Sequence, residues 1–276
     1  MDILTHTAFS SDPAGGNPAG VVLDATGASD AELLAVAAKV GFSETAFVVG
    51  GTDRALDVRY FSPLAEVSFC GHATIALAVA HAARHGVGRL AVDTKAGPVE
   101  VATATGSDGA TAATLVSVAP RSVPLTDDDR HTLLAALRWD ERDLDPELPP
   151  RVAYAGAWHP VIAAATRTRL ADLDYDFDAL GALMADRDWT TVDLVWRESP
   201  SLVHARNPFP PGGVVEDPAT GAAAAAFGGY LRELGLVDVP ATVTIHQGDD
   251  LGRPSLLRVD IPADGGIAVT GTAVPL

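Results

Sequence analysis

Apolar residues recur along this chain with two periods. Leu56, Val58 and Tyr60 alternate with Asp57 and Arg59, the pattern of a strand with one buried face. Leu33, Val36, Ala37 and Val40 recur at helical spacing instead. They follow Ser29-Asp30-Ala31-Glu32, a capping box, and Gly41 supplies the stop. The same reasoning predicts strands over residues 20–23, 45–49, 90–92, 99–102 and 115–118, then over 161–164, 192–196 and 202–205. Helices are predicted over 73–84, ended by Gly86, over 127–139 behind Thr126, and over 177–184. Residues 120–124 read as a linker and the acidic, proline-rich 140–150 as a loop.

One pattern occurs twice. A strand leads through Phe69-Cys70-Gly71-His72-Ala73-Thr74 into an alanine-rich helix ending near Gly86, and a β-rich stretch around Lys95-Ala96-Gly97 follows. In the second half, a strand leads through Glu216-Asp217-Pro218-Ala219-Thr220-Gly221 into an alanine-rich helix ending at Gly235, followed by Gln247-Gly248. Two similar α/β halves, residues 1–119 and 120–276, with a site in the cleft between them are the simplest architecture this permits. The last strand is free to pack back on the first half.

Composition narrows the field. Nineteen basic against 36 acidic residues leave a formal charge of −17, which argues against nucleic acid or an anionic membrane as partner. The one cysteine excludes an intrachain disulfide or a four-cysteine zinc site. The N-terminal residues lack a basic segment followed by an apolar one, and no apolar run reaches bilayer length, so a soluble cytoplasmic protein is predicted. His81 and His85 have a metal-ligand spacing but no acidic third ligand, and they read as polar residues at a helix C-terminus. Nothing matches a phosphate-binding loop, so no nucleotide and no metal are predicted.

The chemistry gathers at the two helix starts. Each leaves backbone N–H groups unpaired and carries partial positive charge, and Gly71 and Gly221 let an anion approach those donors. Taken singly, small residues there serve tight helix packing equally well. The symmetric pair instead predicts that the two starts together hold a carboxylate and stabilise negative charge developing on a substrate.

Five ordered stretches then become specific: Gly16-Asn17-Pro18-Ala19-Gly20, Gly41-Phe42-Ser43-Glu44-Thr45-Ala46-Phe47, Cys70-Gly71-His72-Ala73-Thr74, Glu216-Asp217-Pro218-Ala219-Thr220-Gly221, and Gln247-Gly248 with Gly252-Arg253-Pro254-Ser255. Together they closely resemble the PhzF-like phenazine-biosynthesis family, which has the diaminopimelate epimerase fold. The resemblance implies an α/β protein of two pseudo-symmetric domains, each a barrel-like, mostly antiparallel sheet around a central helix. It implies a cofactor-independent isomerase acting on a small anionic metabolite, and a homodimer. Glu44 matches the family's proton shuttle, His72 a residue that orients or polarises the substrate, and Asp217 a second acid that holds a hydroxyl or amino group. Gly71, Ala73, Thr220, Gly221 and Ala222 match the carboxylate-binding N–H groups, and Asn17 a further binding residue. Ala222 stands where many members have serine, and Ala73 where the phenazine enzyme has proline.

Two rivals remain at this level: an amino-acid epimerase or racemase, and a catalytically silent protein that binds a small acid. Diaminopimelate epimerase uses two cysteines, just before the glycines that open its paired helices. Here those positions are Cys70 and Pro218, so a two-thiol inversion is impossible and Cys70 reads as a buried bystander.

Overall fold

A computed structural model describes residues 1–276. The first elements are β1 (Leu4–Ala8), β2 (Asn17–Val22), α1 (Asp30–Val40), β3 (Glu44–Thr52), β4 (Ala55–Phe61), β5 (Glu66–Val67), α2 (Gly71–His85), β6 (Arg89–Thr94), β7 (Gly97–Thr105) and β8 (Thr111–Val116). Next come β9 (Arg121–Pro124), α3 (Asp127–Leu137), β10 (Arg151–Tyr154), β11 (Trp158–Ala163), α4 (Arg167–Ala171), α5 (Phe177–Arg187) and β12 (Asp193–Ser199). The chain ends with β13 (Leu202–Phe209), β14 (Val214–Asp217), α6 (Gly221–Glu233), β15 (Ala241–Gln247), β16 (Ser255–Ile261) and β17 (Ala268–Pro275). Two compact units result, Met1–Val116 with Thr270–Leu276, and Ser117–Val269.

In the first unit the strands close into a ring. β1 pairs antiparallel with β2, β2 parallel with β3, β3 antiparallel with β4, and β4 parallel with β6. β7 and β8 continue antiparallel, and β17 then pairs with both β8 and β1, making an eight-stranded barrel with no open edge. The two parallel steps need crossovers, which α1 and α2 supply. α2 fills the barrel. Every residue from His72 to Ala82 is buried, so the helix is enclosed on all sides, and six alanines among its 15 residues let the strands approach closely. A smaller cluster of Leu33, Ala37, Phe47 and Phe61 holds α1 against the outside of the sheet.

The second unit repeats the pattern of pairing. β10 is antiparallel to β11, β11 parallel to β12, β12 antiparallel to β13, β13 parallel to β15, and β15 antiparallel to β16. α4 and α5 make the first crossover and α6 the second. α6 is buried from Ala223 to Leu231. Its glycine pair is a packing requirement: a Cβ on Gly228 would lie 2.9 Å from Ile267 and Val259, and one on Gly229 would lie 2.3 Å from Pro120. No helix is long and apolar enough to cross a membrane.

Of residues 120–124, expected to be a linker, 121–124 form β9, which pairs antiparallel with β10. Pro120 precedes this strand and Pro124 is its last residue, opposite Arg151. Helix limits agree with the reading of the sequence. Ser29 and Glu32 make the capping box, Gly41 ends α1 at φ 74°, and the Thr126 side chain accepts from Asp129 N–H.

Candidate active site

In the first unit the site begins where α1 stops. The left-handed turn at Gly41 redirects the chain through Phe42 and Ser43, so that Glu44 opens β3 opposite Ala19 of β2. The side chain of Glu44 stays 16% exposed. Glu44 Oε2 lies 3.5 Å from His72 Nε2 and 3.5 Å from Cys70 Sγ. Cys70 Sγ in turn lies 3.3 Å from His72 Nδ1 and 3.8 Å from Nε2, and Ser43 Oγ is 3.4 Å from Nε2. Carboxyl, thiol, imidazole and hydroxyl therefore meet at the start of α2.

That start is held from below. Thr74 donates its hydroxyl to Cys70 O at 2.6 Å, so the buried Tyr60 hydroxyl, 2.7 Å away, must donate to Thr74. Thr74 N–H also bonds Cys70 O at 3.0 Å, the first turn of the helix. The N–H groups of Gly71, His72 and Ala73 precede that bond and have no intrahelical acceptor. A Cβ on Gly71 would meet nothing within 4 Å, so this face of the helix start is open within the unit. Asn17 is buried at the start of β2.

The second unit builds its helix start differently. β14 ends at Asp217, opposite Asn207 of β13, and a buried pair of Arg206 with Glu216 ties the same two strands, with Nε to Oε2 at 2.9 Å. Thr220 donates its hydroxyl to Asp217 Oδ2 at 2.6 Å. Gln247 accepts from Thr220 N–H at 3.0 Å and donates through Nε2 to Asp217 O at 2.7 Å. The carry-over of Thr220 as an N–H donor to substrate is thereby corrected, because Gln247 already takes that N–H. Gly221 and Ala222 keep theirs, lying before the first helical bond from Ala224 N–H to Thr220 O. The equivalence of Cys70 with Pro218 is corrected too: Cys70 caps α2 and Thr220 caps α6.

Gln247-Gly248 now has a physical role. Gly248 sits at φ 79°, and a Cβ there would lie 2.8 Å from Pro218 O and 2.4 Å from Arg253 O. Only glycine lets this turn close under the start of α6.

A buried polar chain lies deeper in the second unit. His159, Thr191, Asn207 and Asp193 are all buried. Thr191 Oγ1 donates to Asn207 Oδ1 at 2.8 Å, so it accepts from His159 Nδ1 at 2.9 Å. Asn207 Nδ2 donates to Asp193 Oδ1 at 3.0 Å. His159 Nε2 and Asp193 Oδ2 have no partner. Burial pushes the Asp193 carboxyl up to about 7 and the His159 imidazole down to about 4.

Cys70 is buried as expected, but its contacts with Glu44 and His72 make it a member of the site rather than a bystander. The Glu44, Cys70 and His72 ligand atoms all lie within 4.8 Å of one another, close enough to hold a metal ion. His81 and His85 stack on each other, and His85 faces Asp53 at 3.5 Å.

Comparison with known proteins gives a consistent answer. The family model described as phenazine biosynthesis-like protein matches residues 6–276. An uncharacterised isomerase of Bacillus subtilis (strain 168), YfhB, is 30% identical over 285 residues, covering 99% of this chain and 96% of that protein. The trans-2,3-dihydro-3-hydroxyanthranilate isomerase of Pseudomonas chlororaphis is 29% identical over 283 residues, covering 97% of each. A crystal structure of the PhzF-family phenazine biosynthesis protein of Bacillus anthracis shares the fold, with a TM-score of 0.87 at 24% identity over 100% of this chain and 98% of that one.

Proposed function

The chain belongs to the phenazine biosynthesis-like family and is an isomerase; from that premise we propose that it works without a cofactor, moving a proton along a small carboxylated substrate with Glu44 as the carrier. The observation that carries this reading is the placement of Glu44 Oε2 3.5 Å from His72 Nε2, beside a helix start whose first N–H groups have no intrahelical acceptor. Glu44 takes a proton from a carbon acidified by a neighbouring unsaturated or carboxyl group. The charge that develops is stabilised by the N–H groups of Gly71 and Ala73 and the positive end of α2. His72 orients the substrate and Glu44 returns the proton to a second carbon. Asn17, buried at the start of β2, contributes to binding.

The contact between Cys70 and Glu44 favours return of the proton to the same face. Inversion needs an acid and a base on opposite sides of one carbon, roughly 6–7 Å apart if each approaches to about 3–3.5 Å. Two groups 3.5 Å apart cannot flank a carbon in that way.

The first step of the test is a screen of small unsaturated amino and hydroxy acids for thermal stabilisation, about 2.7 kcal/mol at 100 times Kd. Hits are then incubated with the enzyme in D2O. Deuterium should enter a substrate carbon with the parent protein, and Glu44→Gln should slow this by roughly 10²–10⁴. Undiminished exchange by Glu44→Gln removes Glu44 from the mechanism, and inversion of a stereocentre would favour epimerisation.

A further inference from the structure

The hydroxyl chain under the start of α2 does more than close a turn. Tyr60 and Thr74 are both fully buried, where either polar group costs free energy unless it is bonded. Tyr60 OH donates to Thr74 Oγ1 at 2.7 Å, and Thr74 donates to Cys70 O at 2.6 Å. Burial pushes the Tyr60 phenol up, so it remains a donor. Cys70 O also accepts the Thr74 N–H at 3.0 Å and so carries two bonds from one residue. That carbonyl belongs to the same planar, trans peptide group as the Gly71 N–H, which points the opposite way, out of the helix start. Donors at a peptide oxygen draw charge from its nitrogen, and chained hydrogen bonds strengthen one another by roughly 10–30% per bond. The chain that begins at Tyr60 therefore ends at the Gly71 N–H.

The second unit lacks this chain. Tyr60 stands opposite Ala46, two residues after Glu44; the matching residue, opposite Val195 and two residues after Asp193 in register, is Ala205. Thr74 is the fourth residue of α2, and the fourth of α6 is Ala224, which gives Thr220 O a backbone bond without a hydroxyl. Both central helices are buried and alanine-rich, so packing such a helix requires neither hydroxyl. Tyr60 and Thr74 belong to the unit in which Glu44 and His72 meet the helix start.

We propose that Tyr60 and Thr74 are positioning residues that aim and strengthen the Gly71 N–H as a donor to charge developing on the substrate. The coupling half of this inference rests on the bond lengths; the catalytic half rests on the function proposed above. Both hydroxyls lie buried beneath the helix start and act through the Cys70–Gly71 peptide. A donor that is needed most as charge develops stabilises the transition state more than the bound substrate, so its weakening falls on kcat rather than KM.

Two measurements on the full chain test this. In ligand-free protein labelled with 15N-glycine, the nitrogen shift of Gly71 reports hydrogen bonding at the Cys70 carbonyl. It should move upfield in Thr74→Val, move less in Tyr60→Phe, and return in Thr74→Ser. The second measurement follows deuterium exchange on the unsaturated amino or hydroxy acid that the parent labels fastest. Removing an oxyanion donor outright costs about 10²–10³, so weakening one from a distance should cost Thr74→Val roughly 10-fold in kcat and Tyr60→Phe roughly 3-fold, with KM near the parent's. The double variant leaves no buried hydroxyl without its partner, which guards against a failure to fold. It should match Thr74→Val rather than lose more, because Tyr60 acts through Thr74. Thr74→Ser should recover most of the rate. A Gly71 shift unmoved in the double variant overturns the coupling. Fully additive losses overturn the relay through Thr74, and losses confined to KM or to melting temperature overturn the catalytic half. If the parent labels no acid, or Glu44→Gln labels it as fast, while the Gly71 shifts follow the expected order, the proposed function falls and the coupling stands.

Discussion

Glu44 and Asp193 occupy the same place in the two halves of the molecule. Each opens a strand that runs parallel to the strand before it, Glu44 on β3 opposite Ala19 of β2 and Asp193 on β12 opposite Val161 of β11. Each precedes an antiparallel strand and then the central helix. Their surroundings oppose one another. Glu44 retains access to solvent and touches an imidazole and a thiol at distances that leave its lone pairs available. Asp193 is 2% exposed, accepts one bond from Asn207, and is pushed up to about 7. One backbone slot thus serves an acid that can exchange protons with a ligand and an acid locked inside a core. The difference lies in what packs over the side chain, not in where the strand begins.

The sharpest way to break this comparison is to neutralise both acids. Glu44→Gln should cost roughly 10²–10⁴ in isomerase rate while the fold persists. Asp193→Asn should leave the rate at neutral pH near that of the parent. Equal loss in both variants, measured with correctly folded protein, would mean the two slots share a role.

A smaller effect concerns stability against pH. Asp193 has its carboxyl raised from 3.8 to about 7, so the folded chain keeps a proton that the unfolded chain releases in that interval. Its contribution is fully present below 3.8 and is lost as pH rises through about 7. His159 is lowered from 6.5 to about 4, so its contribution is present above 6.5 and is lost as pH falls toward about 4. Between about 4 and 6.5 the two slopes oppose and largely cancel. Relative to the parent, His159→Gln should then lose stability progressively as pH rises across this range, and Asp193→Asn as it falls, each by up to about 1.4 kcal/mol per pH unit. Urea denaturation at a series of pH values reads this out; parallel curves for the two variants would show that the pair does not titrate as described.

The helix starts offer the finest contrast. Gly248→Ala forces a left-handed residue against two carbonyls under α6 and should destabilise by at least about 1–2 kcal/mol. Gly71→Ala meets open space at α2 and should change stability by no more than about 0.5 kcal/mol. If its N–H groups bind substrate, Gly71→Ala should raise KM with little change in kcat. A Gly71→Ala protein as unstable as Gly248→Ala would show that both starts are closed by packing.

Much of this was legible locally. The limits of α1 and α2 follow from the Ser29–Glu32 box and the stops at Gly41 and Gly86, all within a turn of the helix they bound. A last strand free to pack back on the first half was expected, but not its partners, because its pairing with β1 and β8 joins residues far apart in sequence. The motif stretches around Glu44, His72 and Asp217 stood out, yet nothing in their order shows that a sulfur touches a carboxyl or that Thr220 N–H is already taken. The His159–Asp193 chain escaped notice because His159, Asp193 and Asn207 lie singly on three strands and Thr191 just before one of them. The signal was present: polar residues at positions whose neighbours, Val161, Ile162, Leu194 and Val195, are apolar and buried.

The ring of the first unit has a consequence in time. Its eighth stave, β17, is translated only after the whole of Ser117–Val269. Until then β1 and β8 have unpaired edges, and the barrel that carries Glu44 and His72 cannot close, however well its first seven strands have collapsed. A newborn chain on the ribosome can therefore complete its second unit before its first. Joining ends so distant in sequence carries the slow, entropy-limited closure of a long loop, and through that interval the nascent protein must keep two bare strands from pairing with a neighbour's.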